Sequence, residues 1–393
     1  MMVHVLVRCL APIAAASLAL ATSLAACTTS SSPAPARTAS AQQAGTRSGS
    51  GSGSAPSPWH VAEQAGSFNG AEVNFAATSA TDAWSTWVAT FSGPGSSPAT
   101  PQAVARWDGT AWQWVAVPAG LVPHVRTSIS VATDSAGDAW IFSWKWPAGA
   151  LRYAGGRWSL QQIPSWVIRP EADKRPGISS VAFSPANVWV FSLGIDGHKD
   201  HYAAHYNGRS WTKVTLPGIP GEVSVVSASD IWALAVSAGS VGTNWTASGV
   251  MHYNGRTWSL VALPELAVAA GTPVQYGNLA AAGPGAAWLV RTVTPDNGLG
   301  ATTLMHLSRT AWTTISFPSG AGPLIPLSTA QDGSGGLWAD GVYENPGGLV
   351  SLFHFSGGRW AQWSQGHSGY SMAWIPGTRQ DWAWDTSGTI YRS

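Results

Sequence analysis

The chain has 393 residues, of which only 10% are charged, and its 20 Lys and Arg against 19 Asp and Glu give a formal net charge of +1. That balance leaves no electrostatic footprint for nucleic acid or for an anionic membrane surface. Gly (44), Pro (26) and Trp (24) are abundant, a composition suited to many short strands joined by tight turns and unsuited to long solvated helices.

Residues 1–26 open with a weak basic region at His4 and Arg8 and run through an apolar stretch from Leu10 to Leu20. The stretch is too short to span a bilayer and has the length of a signal-peptide hydrophobic region. It ends in Leu24-Ala25-Ala26-Cys27, which resembles a bacterial lipobox. The resemblance implies cleavage before Cys27 and acylation of its sulfur, hence a membrane partner through the lipid and a place on the outer face of the cell membrane. A secretory signal cut at an Ala-x-Ala site is the plainer alternative. The other cysteine, Cys9, falls in the segment that would be removed, so the mature chain is expected to hold no disulfide, no Cys-based metal site and no cofactor. From Cys27 to Ser57 the residues are mostly Ser, Ala, Gly, Thr and Pro. Such a segment cannot bury a core and reads as a tether with a reach of roughly 30 Å.

From Pro58 to Ser393 a unit recurs about every fifty residues. A tryptophan on a short apolar strand comes first: Trp84, Trp140, Trp189, Trp232, Trp288, Trp338 and then Trp382 or Trp384. An aromatic, a Gly-containing turn and a second tryptophan follow, at Trp112, Trp158, Trp211, Trp258, Trp312 and Trp360. In the fourth unit, strands A to D are expected over Val223 to Ser227, Ile231 to Val236, Gly249 to Tyr253 and Thr257 to Leu263. Two-residue turns are expected between strands C and D at Asp108-Gly109, Gly155-Gly156, Asn207-Gly208, Asn254-Gly255 and Gly357-Gly358, with a wider hairpin at Ser308-Arg309. Seven first tryptophans against six second ones leave the last unit one strand short. Pro58-Trp59-His60-Val61 supplies it. The fold class is therefore all-β: a seven-bladed β-propeller of four-stranded blades, the last closed by the N-terminal strand.

The Tyr/Trp, Asn/Asp-Gly, Trp and Pro order is similar to the second half of kelch repeats, and Gln331 to Trp338 resembles the two-component-regulator propeller repeat. Taken with the lipobox, the chain resembles a secreted bacterial propeller lipoprotein of actinobacterial type. That resemblance implies architecture and address, not an activity.

His205, His252, His306 and His354 recur at one repeat position, before the strand C aromatic, where other units carry Arg106, Arg152 and Ile390. Equivalent positions are spread around a ring, so these imidazoles are expected to be structural and no metal site is expected. The long B to C and D to A connections fall on one face of the disc and gather charge, including Arg169, Glu171, Asp196, Lys199 and Asp200. Trp166 and Trp245 lie in these loops, where an indole can stack on a sugar or anchor a protein. These seven residues are the candidate binding site, and no catalytic residue is assigned. The reading is a monomeric, lipid-anchored, extracytoplasmic module binding a protein or glycan. The alternative is a glycoside hydrolase or lyase with scattered carboxylates, Glu171, Asp196, Asp200 or Glu344, in the central well.

Overall fold

In a computed structural model the chain is described over residues 59–63, 71–89, 103–122, 128–134, 137–143, 149–167, 177–193, 201–237, 246–265, 272–294, 301–318, 324–343, 350–367, 370–375, 378–385 and 389–393. Its strands form seven four-stranded antiparallel sheets. Blade 1 is β2 (Ala71–Ser79), β3 (Asp82–Ala89), β4 (Ala103–Trp107) and β5 (Trp112–Trp114). Blade 2 is β6 (Ser128–Thr133), β7 (Ala139–Ser143), β8 (Gly149–Ala154) and β9 (Arg157–Gln162); blade 3 is β10 (Gly177–Ser184), β11 (Asn187–Leu193), β12 (Tyr202–Tyr206) and β13 (Trp211–Thr215). Blade 4 is β14 (Ile219–Ser227), β15 (Asp230–Val236), β16 (Ala247–Tyr253) and β17 (Trp258–Ala262); blade 5 is β18 (Val274–Gly283), β19 (Ala286–Val293), β20 (Ala301–Ser308) and β21 (Ala311–Ser316). Blade 6 is β22 (Leu324–Gln331), β23 (Leu337–Tyr343), β24 (Val350–Ser356) and β25 (Arg359–His367). Blade 7 is β26 (Tyr370–Trp374), β27 (Asp381–Asp385), β28 (Ile390–Arg392) and, on its outer edge, β1 (His60–Glu63).

Each blade's first tryptophan is buried and does two jobs. Across its own sheet it faces a cation or an imidazole: Trp84 pairs with Arg106, Trp140 with Arg152, Trp189 with His205, Trp232 with His252, Trp288 with His306, Trp338 with His354 and Trp382 with Arg392. This register selects Trp382 over Trp384. It also corrects the repeat assignment, because the seventh blade places Arg392 at the histidine position and Ile390 opposite Trp384. Toward the next blade the indole can meet an aromatic pair, as Trp84 meets Tyr153 and Trp158 at ring centroids of 4.9 and 6.1 Å, and Trp189 meets Tyr253 and Trp258 at 5.2 and 6.1 Å; Trp232 instead shares a cluster with Leu307 and Trp312. Ring closure uses the same contact. Trp338 of blade 6 meets Trp59 at 5.5 Å, and Trp382 of blade 7 meets Trp107 and Trp112 of blade 1 at 5.1 and 5.5 Å. Trp59 is thus the seventh second tryptophan.

The hairpins depart from expectation in both directions. Gly155-Gly156 and Gly357-Gly358 are two-residue turns, with Ala154 paired to Arg157 and Ser356 to Arg359. Asp108-Gly109, Asn207-Gly208 and Asn254-Gly255 instead open four-residue connections, since Trp107 pairs with Trp112, Tyr206 with Trp211 and Tyr253 with Trp258. There the Asx side chain closes the turn, Asn207 Oδ1 accepting from Arg209 N and Ser210 N at 3.0 Å. Blade 5 is tight, not wide: Ser308 pairs with Ala311, and Arg309 takes the left-handed conformation (φ 59°) without glycine, its N–H donating to Gly285 O at 2.6 Å. Strand A of blade 4 starts four residues earlier than expected because Pro220, which has no N–H to offer, is absorbed by a bulge between Pro220 and Val223 on the innermost strand.

The seven residues that pair with the tryptophans on the inner side are small: Ala76, Ala132, Val181, Ser224, Ala280, Ala330 and Ala373. Two residues earlier on every innermost strand stands a buried polar side chain: Asn74, Ser130, Ser179, Glu222, Asn278, Ser328 and Ser371. Innermost strands have no ladder partner on their axial side, so their free N–H groups need acceptors. Ser130 Oγ accepts Ser180 N at 3.1 Å, Glu222 Oε2 accepts Leu279 N at 3.0 Å and Ser328 Oγ accepts Met372 N at 3.1 Å, each from the following blade.

Removing residues 28–54 is expected to leave thermal stability nearly unchanged, whereas a deletion extended through Gln64 strips β1 from β28 and exposes Trp338. Trp59→Ala is expected to cost about 3 kcal/mol in denaturant unfolding. Equal stability of the two deletions would show that β1 does not close the ring.

Candidate functional site

The connections from strand A to B, and from C to D in blades 1 to 6, are short, and the B to C and D to A connections emerge together on the opposite face. Of the seven candidate residues only Trp166 falls within the described part of the chain; Arg169, Glu171, Asp196, Lys199, Asp200 and Trp245 lie outside it, as does Glu344. Trp166 sits in a turn closed by Val167 N donating to Pro164 O at 2.9 Å. It is half-buried, with one side packed on the core of blades 2 and 3.

Around Trp166 the structure assembles a cluster that sequence reading missed. Tyr202, the first residue of β12, donates its hydroxyl to Trp166 O at 2.6 Å, and the two rings meet edge to face at 6.0 Å. Lys213 Nζ from β13 stands 5.1 Å from the Trp166 ring and 4.7 Å from the Tyr202 ring. Among the described residues no carboxylate pairs with this ammonium. Trp166 precedes the connection that carries Arg169 and Glu171, and Tyr202 follows the one that carries Asp196, Lys199 and Asp200. The hydroxyl bond therefore ties together the stems of the two most charged loops. A signal was available: two residues past the second tryptophan the blades carry Val61, Trp114, Leu160, Leu260, Thr314 and Gln362, and Lys213 is the cation in that series.

The four histidines lie flat on their own tryptophans, with centroids at 4.3 Å for His205, 4.0 Å for His252, 3.9 Å for His306 and 4.1 Å for His354. Nε2 of His205, His252 and His354 bonds to Asn187, Asp230 and Asp332 at 2.8 to 2.9 Å. Burial holds His205 and His306 below the usual imidazole range. Among the described residues no group of three His, Cys, Asp or Glu could hold a metal ion.

At the axis lies a well of about 350 Å³. Its lining includes the small residues paired with the tryptophans, together with Phe75, Phe183, Gln331 and Trp374, and none of its described lining residues is charged. Two carboxyls influence each other at the junction of blades 6 and 7. Asp332 is raised by burial but held down at about 2 by His354 and by the Ser334 and Gly336 N–H groups, while burial and the Asp332 charge push Asp381 well above the carboxylate range. Both are enclosed, at 7% and 0% exposure, so the pair has no access to a substrate. Glu222, in the polar ring, is pushed up to about 7 by burial against an ordinary value of 4.5, with the Leu279 N–H bond opposing the shift.

No family model matches the sequence, and no curated protein matches it. Solved structures similar to it include the β-propeller domain of Cps50 (Swd1) from Myceliophteria thermophila, at 10% identity and TM-score 0.48 over 86% of this chain and 99% of that one. A PL25 polysaccharide lyase, an ulvan lyase, aligns at 12% identity and TM-score 0.46 over 84% and 95%. The fucose-specific lectin of Aleuria aurantia aligns at 11% identity and TM-score 0.40 over 75% and 95%. These are likenesses of shape, and neither ligand nor activity passes from them to this chain.

The raised Glu222 value has a definite sign. Below about pH 4.5 folded and unfolded chains both hold the proton, and the fold has its full stability; between 4.5 and 7 the unfolded chain ionises first, so stability falls as pH rises. The loss should reach about 3 kcal/mol above pH 7. Glu222→Gln, which keeps an acceptor for Leu279 N, is expected to remove that slope in urea unfolding followed from pH 4 to pH 8. An unchanged slope would place the pH dependence elsewhere.

Proposed function

We propose that the propeller is a non-catalytic binding module, held by a lipid on Cys27 at the outer side of the membrane, that docks a glycan or protein on its long-loop face. The observation that carries this reading is the Trp166, Tyr202 and Lys213 cluster. Two half-buried aromatic rings offer apolar surface for a sugar face or a protein side chain. An ammonium without a carboxylate partner among the described residues adds a charged donor beside them. The pair of functions favours a ligand that presents an apolar face next to an acidic group. Arg169, Glu171, Asp196, Lys199 and Asp200 follow or precede the cluster along the chain and would extend the contact, with Trp245 on the loop of the next blade. The uncharged well and the enclosed Asp332 and Asp381 support binding over glycan cleavage.

Residues 1–26 as a leader, the lipid on Cys27 and the tether through Ser57 belong to the same proposal; all lie outside the described residues. They would carry a monomer clear of the membrane surface, with the loop face available to a partner.

A glycan-array and pull-down screen tests the docking face. Lys213→Ala and Trp166→Ala are each expected to weaken capture about tenfold or more, as loss of a central anchor does. Melting temperature should stay within a few degrees for Lys213→Ala, an exposed position. Capture unaffected by both variants, or measurable turnover of a bound glycan, would remove the docking face or the non-catalytic reading respectively. Cys27→Ser is expected to move the protein from the membrane to the soluble fraction. An unmodified cysteine in the wild-type protein by mass spectrometry would end the anchoring claim.

A further inference from the structure

The axial well is a second site, distinct from the docking face. It is built from the innermost strands at the end where they turn toward strand B, so it belongs to the short-turn side of the disc. Its wall is wide because the seven tryptophans fill the blade interiors and leave small residues at the axis, and it is apolar because its hydroxyls are already engaged. Thr78 and Thr133 both donate to Asp82 Oδ2, at 3.2 and 2.8 Å. Ser180 Oγ is bonded to Ser130 Oγ at 2.6 Å, and Ser224 Oγ accepts Ala281 N at 2.9 Å.

Besides the buried Phe75, two large side chains break the small-residue pattern. Trp374 follows the tryptophan-paired residue of blade 7, where other blades carry Ala77, Thr133, Ala182, Val225, Ala281 and Gln331. Its Nε1 is committed to Thr378 O at 2.9 Å, and Gly333 of blade 6 packs so closely that an added Cβ would stand 3.0 Å from that nitrogen. The indole is therefore held in place and can offer a ring face but no free N–H. Phe183, one position further along its strand in blade 3, is also half-buried and lines the well. In a ring of seven, blades 3 and 7 stand on nearly opposite sides of the axis.

We propose that the well binds a flat, uncharged small molecule, seated between the Trp374 and Phe183 rings with its body among the alanine methyl groups. A space of about 350 Å³ holds on the order of 18 non-hydrogen atoms at interior packing density. Water there has few partners among the engaged hydroxyls, so its release favours an apolar occupant. An ionic ligand would lose hydration with no opposite charge among the lining residues to replace it. Among the described lining residues Gln331 offers a side-chain amide with an uncommitted N–H, which with the unpaired axial edge of the innermost strands can select orientation.

Fluorescence titration with prodan, a neutral naphthalene ketone of suitable size, tests the proposal. Wild-type protein is expected to bind it saturably, one to one, with blue-shifted emission. Trp374→Ala and Phe183→Ala should each weaken binding about tenfold, the loss of one aromatic contact, and Ala76→Phe should abolish it by filling the well. Naphthalene-2-sulfonate should bind at least about tenfold more weakly than prodan, as an unpaired buried charge requires. Lys213→Ala should leave prodan binding unchanged, which separates this site from the docking face. Absence of saturable binding by the wild-type protein, or wild-type affinity in both mouth variants, overturns the site; equal affinity for the sulfonate overturns the ligand class. If Ala76→Phe does not fold, the two mouth variants decide.

Discussion

A sheet has two edges, and a propeller blade turns one of them toward the axis, where no strand is present to pair with it. Everything else in this molecule is arranged around that exposed edge. Within the ring of Asn74, Ser130, Ser179, Glu222, Asn278, Ser328 and Ser371, three members meet it with side chains, Ser130, Glu222 and Ser328 each supplying the acceptor that the next blade's backbone requires. Because the acceptor comes from a neighbour, the bond fixes the spacing between blades as well as satisfying the edge. Ser130 and Ser328 do this with short hydroxyls. In blade 4 the longer Glu222 reaches across instead, and the fold accepts a buried acid in exchange for a closed edge.

Outside this ring the blades are held by a second, apolar contact that repeats with the same period. Trp189, between His205 of its own sheet and Tyr253 and Trp258 of the next blade, shows the fullest form of it. Asp82 shows how the two layers join: it holds Arg106 of its own blade at 3.2 Å and accepts Thr133 of the next blade at 2.8 Å. The histidines that suggest chemistry in isolation are parts of this clasp. Arginine takes this position in blades 1, 2 and 7; in blades 1 and 2 it lies over its own tryptophan and bonds to Asp82 or Asp138, whereas Arg392 lies over Trp107 of blade 1.

Architecture was legible because the features that set it recur, the paired tryptophans in seven blades and the turn glycines in five, and so stand out against the rest of the sequence. The N-terminal closure was legible for the same reason, as a missing member of a series. What escaped notice were single departures from the repeat. Lys213 stands where other blades place apolar or neutral residues, and Trp374 stands where they place small ones; neither belongs to a motif, and each acquires meaning only from the ring beside it. The turn lengths were misjudged where an Asn or Asp before glycine was read as a two-residue hairpin, although its side chain also caps a four-residue one, as Asn207 does. Arg309 tightens a turn with no glycine at all. The polar ring was invisible because serines two residues before an alanine carry no signal until strands are in register.

Closure of blade 7 by β1 also imposes an order in time. As the chain emerges from amino to carboxyl end, β1 is made first, yet its partner β28 is made last. Blades 1 to 6 can assemble in sequence from neighbouring residues, but β1 has its partner only once β28 has been made, and the joining step closes the longest loop among the described strands. Until then the face of Trp338 that Trp59 will cover stays open. A chain interrupted before β28 would therefore carry six formed blades and an exposed seam.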